Sequence, residues 1–174
     1  MDQTSVSSYS APLGGATLSM TAVASLILLG VGVLQIVLGL NRQGPVRTLL
    51  VGVGSALIVL LFASVLLKIR GYEVTGDRVR ILYGLSQREI PLSEIATVSR
   101  DSRVLNGSTR VSANGGLWSF LGQFSNPTLG EFDVYVSDPT RLVLLQLKKG
   151  AVVVSPGDPD QFVKDVQARR GGVR

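Results

Sequence analysis

The chain has 174 residues, of which 45% are hydrophobic, and carries a formal net charge of +5 with neither cysteine nor histidine. The two missing residue types exclude disulfides, thiolate nucleophiles, imidazole general bases and the commonest soft metal ligands. The positive balance is scattered among acids instead of forming a basic stripe interleaved with aromatics, so no nucleic-acid surface is expected.

Residues 1–15 are Ser-rich and contain no Lys or Arg, and read as a disordered tail. Two apolar runs follow, Ala16 to Leu40 and Thr48 to Leu67, each without an internal charge. A hydrocarbon core of about 30 Å requires about 20 apolar residues at helical rise, and both runs meet that length. The intervening Asn41, Gly44 and Pro45 are helix-stopping and helix-starting types, so the runs read as a transmembrane hairpin with helices over 16–40 and 46–67. A cleaved signal sequence is the competing reading of the first run. The missing basic residues before it, its length and the absence of a small-x-small site after it argue against cleavage.

Small residues are spaced for helix contact. Gly52 and Ala56 share one face, as do Gly32 and Gly39, which suits packing within the hairpin or self-association through it. No ionisable residue marks an ion or proton path inside either run. Basic residues flank the runs unequally: Arg42 and Arg47 in the loop against Lys68, Arg70, Arg78 and Arg80 after the second helix. That imbalance places both termini and the remainder of the chain on the cytoplasmic side.

Residues 68–174 suffice for one domain. Alternation predicts strands around Tyr72 to Thr75, Arg78 to Tyr83, Gln87 to Ile90, Ile95 to Val104, Glu131 to Val136, Arg141 to Lys148 and Ala151 to Ser155. Hairpin-like connections are expected at Asp138 to Thr140 and at Lys149-Gly150. Asp158 and Pro159 then open a helix with the apolar stripe Phe162, Val163 and Val166. Seven short antiparallel strands and one helix are expected to curl into a barrel or an orthogonal sandwich closed by the helix.

Three stretches carry a family resemblance: Tyr72 to Thr75 (YEVT) with Arg88 to Ile95 (REIPLSEI); Gly115 to Gly122 (GGLWSFLG) leading to Leu129 to Phe132 (LGEF); and Val152 to Pro156 (VVVSP) with Asp158, Pro159 and Phe162. Over residues 71–167 the chain resembles bacterial membrane proteins with a pleckstrin-homology-like (PH-like) domain. The resemblance implies a seven-stranded antiparallel PH-like β-barrel with a C-terminal helix, α+β overall, behind membrane spans in the bacterial plasma membrane. It supplies no catalytic residue and no cofactor.

Two groups of residues stand out as candidate contacts. Residues 106–130 read as a long irregular stretch holding Trp118, Phe120, Leu121 and Phe124, with Arg110 nearby and no acid between Asp101 and Glu131. Such a loop either inserts at the bilayer interface, binds a protein partner, or folds back over the barrel. Lys68, Arg70, Arg78 and Arg80 loosely resemble the basic hairpin of phosphoinositide-binding PH domains. The plainer reading makes the first two a helix exit and the last two the solvent face of a strand.

Catalysis is not expected. Glu131, Asp133 and Asp138 lack companions for a metal, and Gly115-Gly116 lacks the lysine and helix start of a phosphate loop. The expected function is that of a membrane-anchored binding or scaffolding module with the bilayer and a protein as partners; the alternative is a sensor of anionic headgroups.

Overall fold

The computed structural model describes residues 6–115 and 117–171. It begins with strand β1 (Ser7–Ser10), then helix α1 (Gly15–Leu40) and helix α2 (Pro45–Ala63), which tightens into a 3₁₀ turn over Ser64–Leu67. Strands β2 (Ile69–Val74), β3 (Arg78–Tyr83), β4 (Ser86–Pro91) and β5 (Ile95–Arg100) come next. They are followed by β6 (Thr109–Gly115), β7 (Phe120–Asn126), β8 (Gly130–Val136), β9 (Val143–Leu147), β10 (Ala151–Val154) and helix α3 (Pro159–Gly171).

The two long helices are antiparallel neighbours whose contact is made by glycine. A Cβ on Gly54 would lie 2.5 Å from the Gly32 carbonyl oxygen, and one on Gly39 would lie 2.9 Å from Val51. Of the two small-residue pairs, Gly32 and Gly39 face the partner helix, whereas a Cβ on Gly52 would meet open space and Ala56 is exposed. Apart from these glycines the helices bury little: in the most apolar 18-residue window of each, 11% of residues are buried. Both are long and apolar enough to cross a membrane.

The β-strands form two sheets, ordered β1-β2-β3-β4 and β5-β9-β10-β8-β7-β6. One apolar cluster lies between the sheets and α3, built on Tyr72, Ile81, Val98, Leu145, Val152, Phe162 and Val166. A second covers the other face of the six-stranded sheet, with Phe124, Phe132, Val134, Val136, Leu142 and Val153. Because β10 is sandwiched, all four of its residues are buried, which explains its unbroken Ala-Val-Val-Val run. Helix α3 starts as expected: the Asp158 carboxylate accepts the Gln161 N–H at 3.0 Å, and Phe162 and Val166 are fully buried.

Several expectations are corrected. The described strands number ten instead of seven, and the two sheets do not close into a barrel. The sheet is not purely antiparallel: β10 pairs with β8 in parallel, through Val152 opposite Asp133 and Val154 opposite Tyr135. Asp138 to Thr140 is therefore no hairpin, since β9 pairs with β5 and β10 and not with β8, whereas Lys149-Gly150 does join the paired strands β9 and β10. The strand expected to run to Val104 ends at Arg100 and gives way to turns. Residues 106–130, expected to be irregular, hold the β6–β7 hairpin.

The N-terminal segment is also not a disordered tail over its described part. Residues 1–5 lie outside the described residues, but Ser7–Ser10 pairs antiparallel with β2, Tyr9 opposite Tyr72. The Tyr9 ring packs edge-on against Phe162, its hydroxyl donates to Asp165 at 2.5 Å, and Arg169 donates to Ser7 Oγ at 2.8 Å. Partial burial and the Asp165 carboxylate push the Tyr9 phenol well above its usual range. The helix pair is thus inserted between two adjacent strands of one sheet.

Candidate interaction surface at the helix–sheet junction

The chain between the helices and the sheets is pinned at several points. The Gly14 N–H donates to the Ser137 carbonyl at 3.0 Å, anchoring the start of α1 to the end of β8. Beside it, Tyr72 forms a buried polar node: its hydroxyl donates to the Tyr135 carbonyl at 2.8 Å and accepts the Ser155 N–H at 3.1 Å. Ser155 Oγ accepts the backbone N–H groups of Ser137 and Asp138. Burial pushes the Tyr72 phenol up to about 12, so it stays a neutral donor.

The aromatic stretch divides among different environments. Trp118 lies in the β6–β7 turn with φ +64°, a left-handed conformation that bulky side chains seldom adopt. Its backbone N–H donates to Thr21 Oγ1 at 2.9 Å and its indole N–H to Ser64 Oγ at 2.9 Å. The neighbouring Ser119 hydroxyl donates to the Leu67 carbonyl at 2.6 Å. The hairpin tip therefore holds α1 through Thr21 and the 3₁₀ turn that ends α2 through Ser64 and Leu67.

Phe124 is buried against Phe132 with ring centroids 6.4 Å apart, which removes it from any free contact surface. Half-buried Phe120 and Leu121 pack against the second and first clusters respectively. Arg110 is exposed on β6, opposite Phe124 in register. Among the candidates in this stretch, Trp118 is hydrogen-bonded to the helix pair. Sequence reading missed its partners Thr21 and Ser64. The signal available was the hydroxyl pair Thr17 and Thr21, four residues apart at the start of an otherwise apolar helix, with Ser64 at the end of the other.

The four basic candidates form two unlike pairs. Arg78 bonds Asp77 at 2.6 Å and Glu89 at 2.5 Å, and Arg80 meets Glu89 at 3.1 Å and Glu73 at 3.8 Å. Hydrogen bonds from Arg78 and Thr75 hold the Asp77 carboxyl down at about 2, and Arg78 likewise lowers Glu89. Two cations facing three carboxylates do not make a positive surface. Lys68 and Arg70 sit instead at the exit of α2, where the Lys68 carbonyl accepts the Gly84 N–H at 3.0 Å and Arg70 donates to the Gly84 carbonyl at 3.3 Å.

The acidic residues are dispersed. Asp133 pairs with Arg88 at 2.8 Å, and Asp138 pairs with Arg141 at 3.2 Å and accepts from Thr140. Among the described residues no group of three or more His, Cys, Asp or Glu is placed to hold a metal. Gly116 of the glycine pair lies outside the described residues.

A family model described as a bacterial PH domain matches residues 70–170, more than half of the chain. The match begins at the exit of α2 and ends within α3, and excludes β1 and the helix pair. No curated protein and no solved structure matches the chain.

Proposed function

This chain belongs to the bacterial PH domain family, and from that premise we propose that it is a non-catalytic binding module, mounted on the plasma membrane by its helix pair and recruiting or organising a protein partner at the cytoplasmic face. One observation carries the reading. Strands β1 and β2, which lead into and out of the helix pair, are hydrogen-bonded neighbours, so the hairpin leaves and rejoins a single folded domain on one side. An even number of spans is the arrangement that permits this. The unburied outer faces of α1 and α2 are apolar enough to be solvated by lipid and unsuited to water.

The Trp118 contacts add a mechanical element. With the β6–β7 tip bonded to both helices, the domain is held against its stem instead of swinging on a linker. A module so mounted presents a fixed face to partners along the membrane plane. The six basic residues flanking the spans, four of them on the domain side, favour the cytoplasm for that side.

Headgroup sensing through Arg78 and Arg80 has less support, because carboxylates already engage both guanidinium groups. Photo-crosslinking of the full-length protein in its native membrane tests the proposal. Reproducible protein adducts from probes on the β-domain are expected, and adducts to lipid alone would overturn it. Because the chain lacks cysteine, single cysteines at Val6, Val111 and Gln43 test the orientation with a membrane-impermeant maleimide. The first two are expected to be protected in intact spheroplasts and Gln43 labelled.

A further inference from the structure

Outside the two long helices and the 3₁₀ turn that ends α2, the described residues include three exposed large hydrophobics: Val6 at 53% exposure, Val111 at 52% and Leu85 at 86%. Leu85 is more exposed than Phe62, which at 71% leads the outward-facing residues of the helix pair itself. A lone exposed leucine ordinarily needs no explanation. This one has an unusual position.

Leu85 and Gly84 are the two central residues of the β3–β4 turn, between the paired residues Tyr83 and Ser86. Gly84 has φ +50°, and glycine at the first position of a two-residue hairpin turn is the sequence choice such turns favour. Glycine is needed here for a second reason, since a Cβ would collide with the Leu66 carbonyl oxygen. The turn is thereby pressed against the end of α2. Gly84 bonds the Lys68 carbonyl, Tyr83 pairs with Ile69, and Arg70 reaches back to the Gly84 carbonyl.

Leu85 is therefore fixed at the level where the second apolar helix ends and the sheet begins. Around it lie exposed Leu66 at the helix end and the cationic Lys68 and Arg70. Apolar side chains bordered by Lys and Arg at the end of a span are the composition of a bilayer interface, with acyl-chain contact on one side and phosphate on the other. Trp118, bonded to Ser64 in the same last turn, occupies the same level.

We infer that the β3–β4 turn is a membrane-interface wedge: Leu85 enters the boundary between acyl chains and headgroups beside α2, and Lys68 and Arg70 pair with lipid phosphate. This gives the β-domain a lipid contact of its own, carried by a rigid turn, in addition to its covalent attachment. The inference rests on the membrane mounting proposed above.

Single cysteines replacing Leu85, Ile27 and Val111 in the full-length protein, labelled with an environment-sensitive fluorophore, test it. The samples are nanodiscs of phosphatidylethanolamine and phosphatidylglycerol, with or without lipid spin-labelled near the headgroup, and iodide as the aqueous quencher. The Leu85→Cys probe is expected to show blue-shifted emission, quenching by the spin-labelled lipid and loss of iodide quenching. The Val111→Cys probe is expected to behave in the opposite way. Iodide quenching at Leu85→Cys equal to that at Val111→Cys, with Ile27→Cys still lipid-quenched, would overturn the wedge and leave the mounting standing. Shielding of the Leu85→Cys probe from both quenchers would also overturn it and point to a protein covering the turn. An Ile27→Cys probe open to iodide would overturn the mounting and the wedge together.

Discussion

The helix pair and the β-domain use similar apolar residues in opposite ways. In α1 and α2 the buried positions are small or hydroxylated, Thr17, Thr21, Gly32, Gly39 and Gly54, while most of the leucines and valines are exposed and Ile36, Val51 and Ile58 flank the glycines half-buried. In the domain the large residues are inside, with Tyr72, Ile81, Leu145 and Phe162 at or below 1% exposure. The membrane mounting proposed above accounts for the difference. In lipid, burying a leucine against another helix gains little over burying it among acyl chains, so close backbone approach decides the packing. In water, removing the large side chains from solvent is the main driving force.

Four perturbations sharpen that contrast. The largest effect is expected from Phe162→Ala, which empties the site where α3 meets both Tyr9 and Tyr72. A loss of about 3–5 kcal/mol is expected for a buried aromatic of this kind. Denaturant titration of the detergent-solubilised protein measures it. A comparable truncation on the outer helix face, Phe62→Ala, should leave domain stability unchanged, and an equal loss there would erase the distinction between the two regions.

Next in size is Tyr72→Phe. It keeps the ring but leaves the Tyr135 carbonyl and the Ser155 N–H without the hydroxyl that serves both. About 1–3 kcal/mol of destabilisation is expected, read in the same titration, because buried polar groups lose their partner. A neutral result would mean that water enters the node.

Smaller still is Trp118→Phe, which removes the indole bond to Ser64 while retaining an aromatic ring. About 1 kcal/mol is expected, and Ser64→Ala in the Trp118→Phe background should add almost nothing further. Additive losses in that cycle, followed by thermal circular dichroism, would show that the two side chains act independently and that the stem is not held through them.

The smallest effect concerns the exposed ion cluster on β3 and β4. Asp77 and Glu89 have depressed carboxyl pKa values in the folded state, owing chiefly to Arg78. Their contribution is present above the ordinary carboxylate range, about 4, and is lost as pH falls through the folded values, about 2 for Asp77. The stability gap between the native protein and Arg78→Ala should therefore narrow as pH is lowered across that window. A gap independent of pH would show that Arg78 acts through packing of its stem.

How much of this was legible in the sequence depends on the range of the interaction. The helix hairpin was legible because run length against bilayer thickness is a local measurement. Helix α3 was legible because Asp158, Pro159 and the Phe162–Val166 spacing are a local signature. Strand β1 was not: Ser7–Ser10 has no apolar alternation and owes its extended form to backbone bonds with a strand more than sixty residues away. The β6–β7 hairpin was masked by Gly, Ser and Asn, which are weak strand formers that pairing overrides.

The candidate residues followed the same division. That Trp118 lies among aromatics in the part of the chain that follows the apolar runs is visible at once. That its N–H groups reach Thr21 and Ser64, while Phe124 turns into the core, depends on the fold of the six-stranded sheet. The basic pattern at Arg78 and Arg80 was visible too, but its neutralisation by Glu89 exists only because antiparallel register sets Arg80 opposite that residue.

The chain by itself therefore determined that two helices are suited to lipid, that a β-rich module with a terminal helix follows them, and that cysteine and histidine chemistry is absent. These are properties of composition and short-range periodicity. Tertiary structure alone decided that the helices interrupt a sheet instead of preceding it, that β8 and β10 lie parallel, and that Leu85 rests at the foot of α2. Each of those depends on residues distant in sequence meeting through backbone hydrogen bonds, which carry no side-chain pattern to be read in advance.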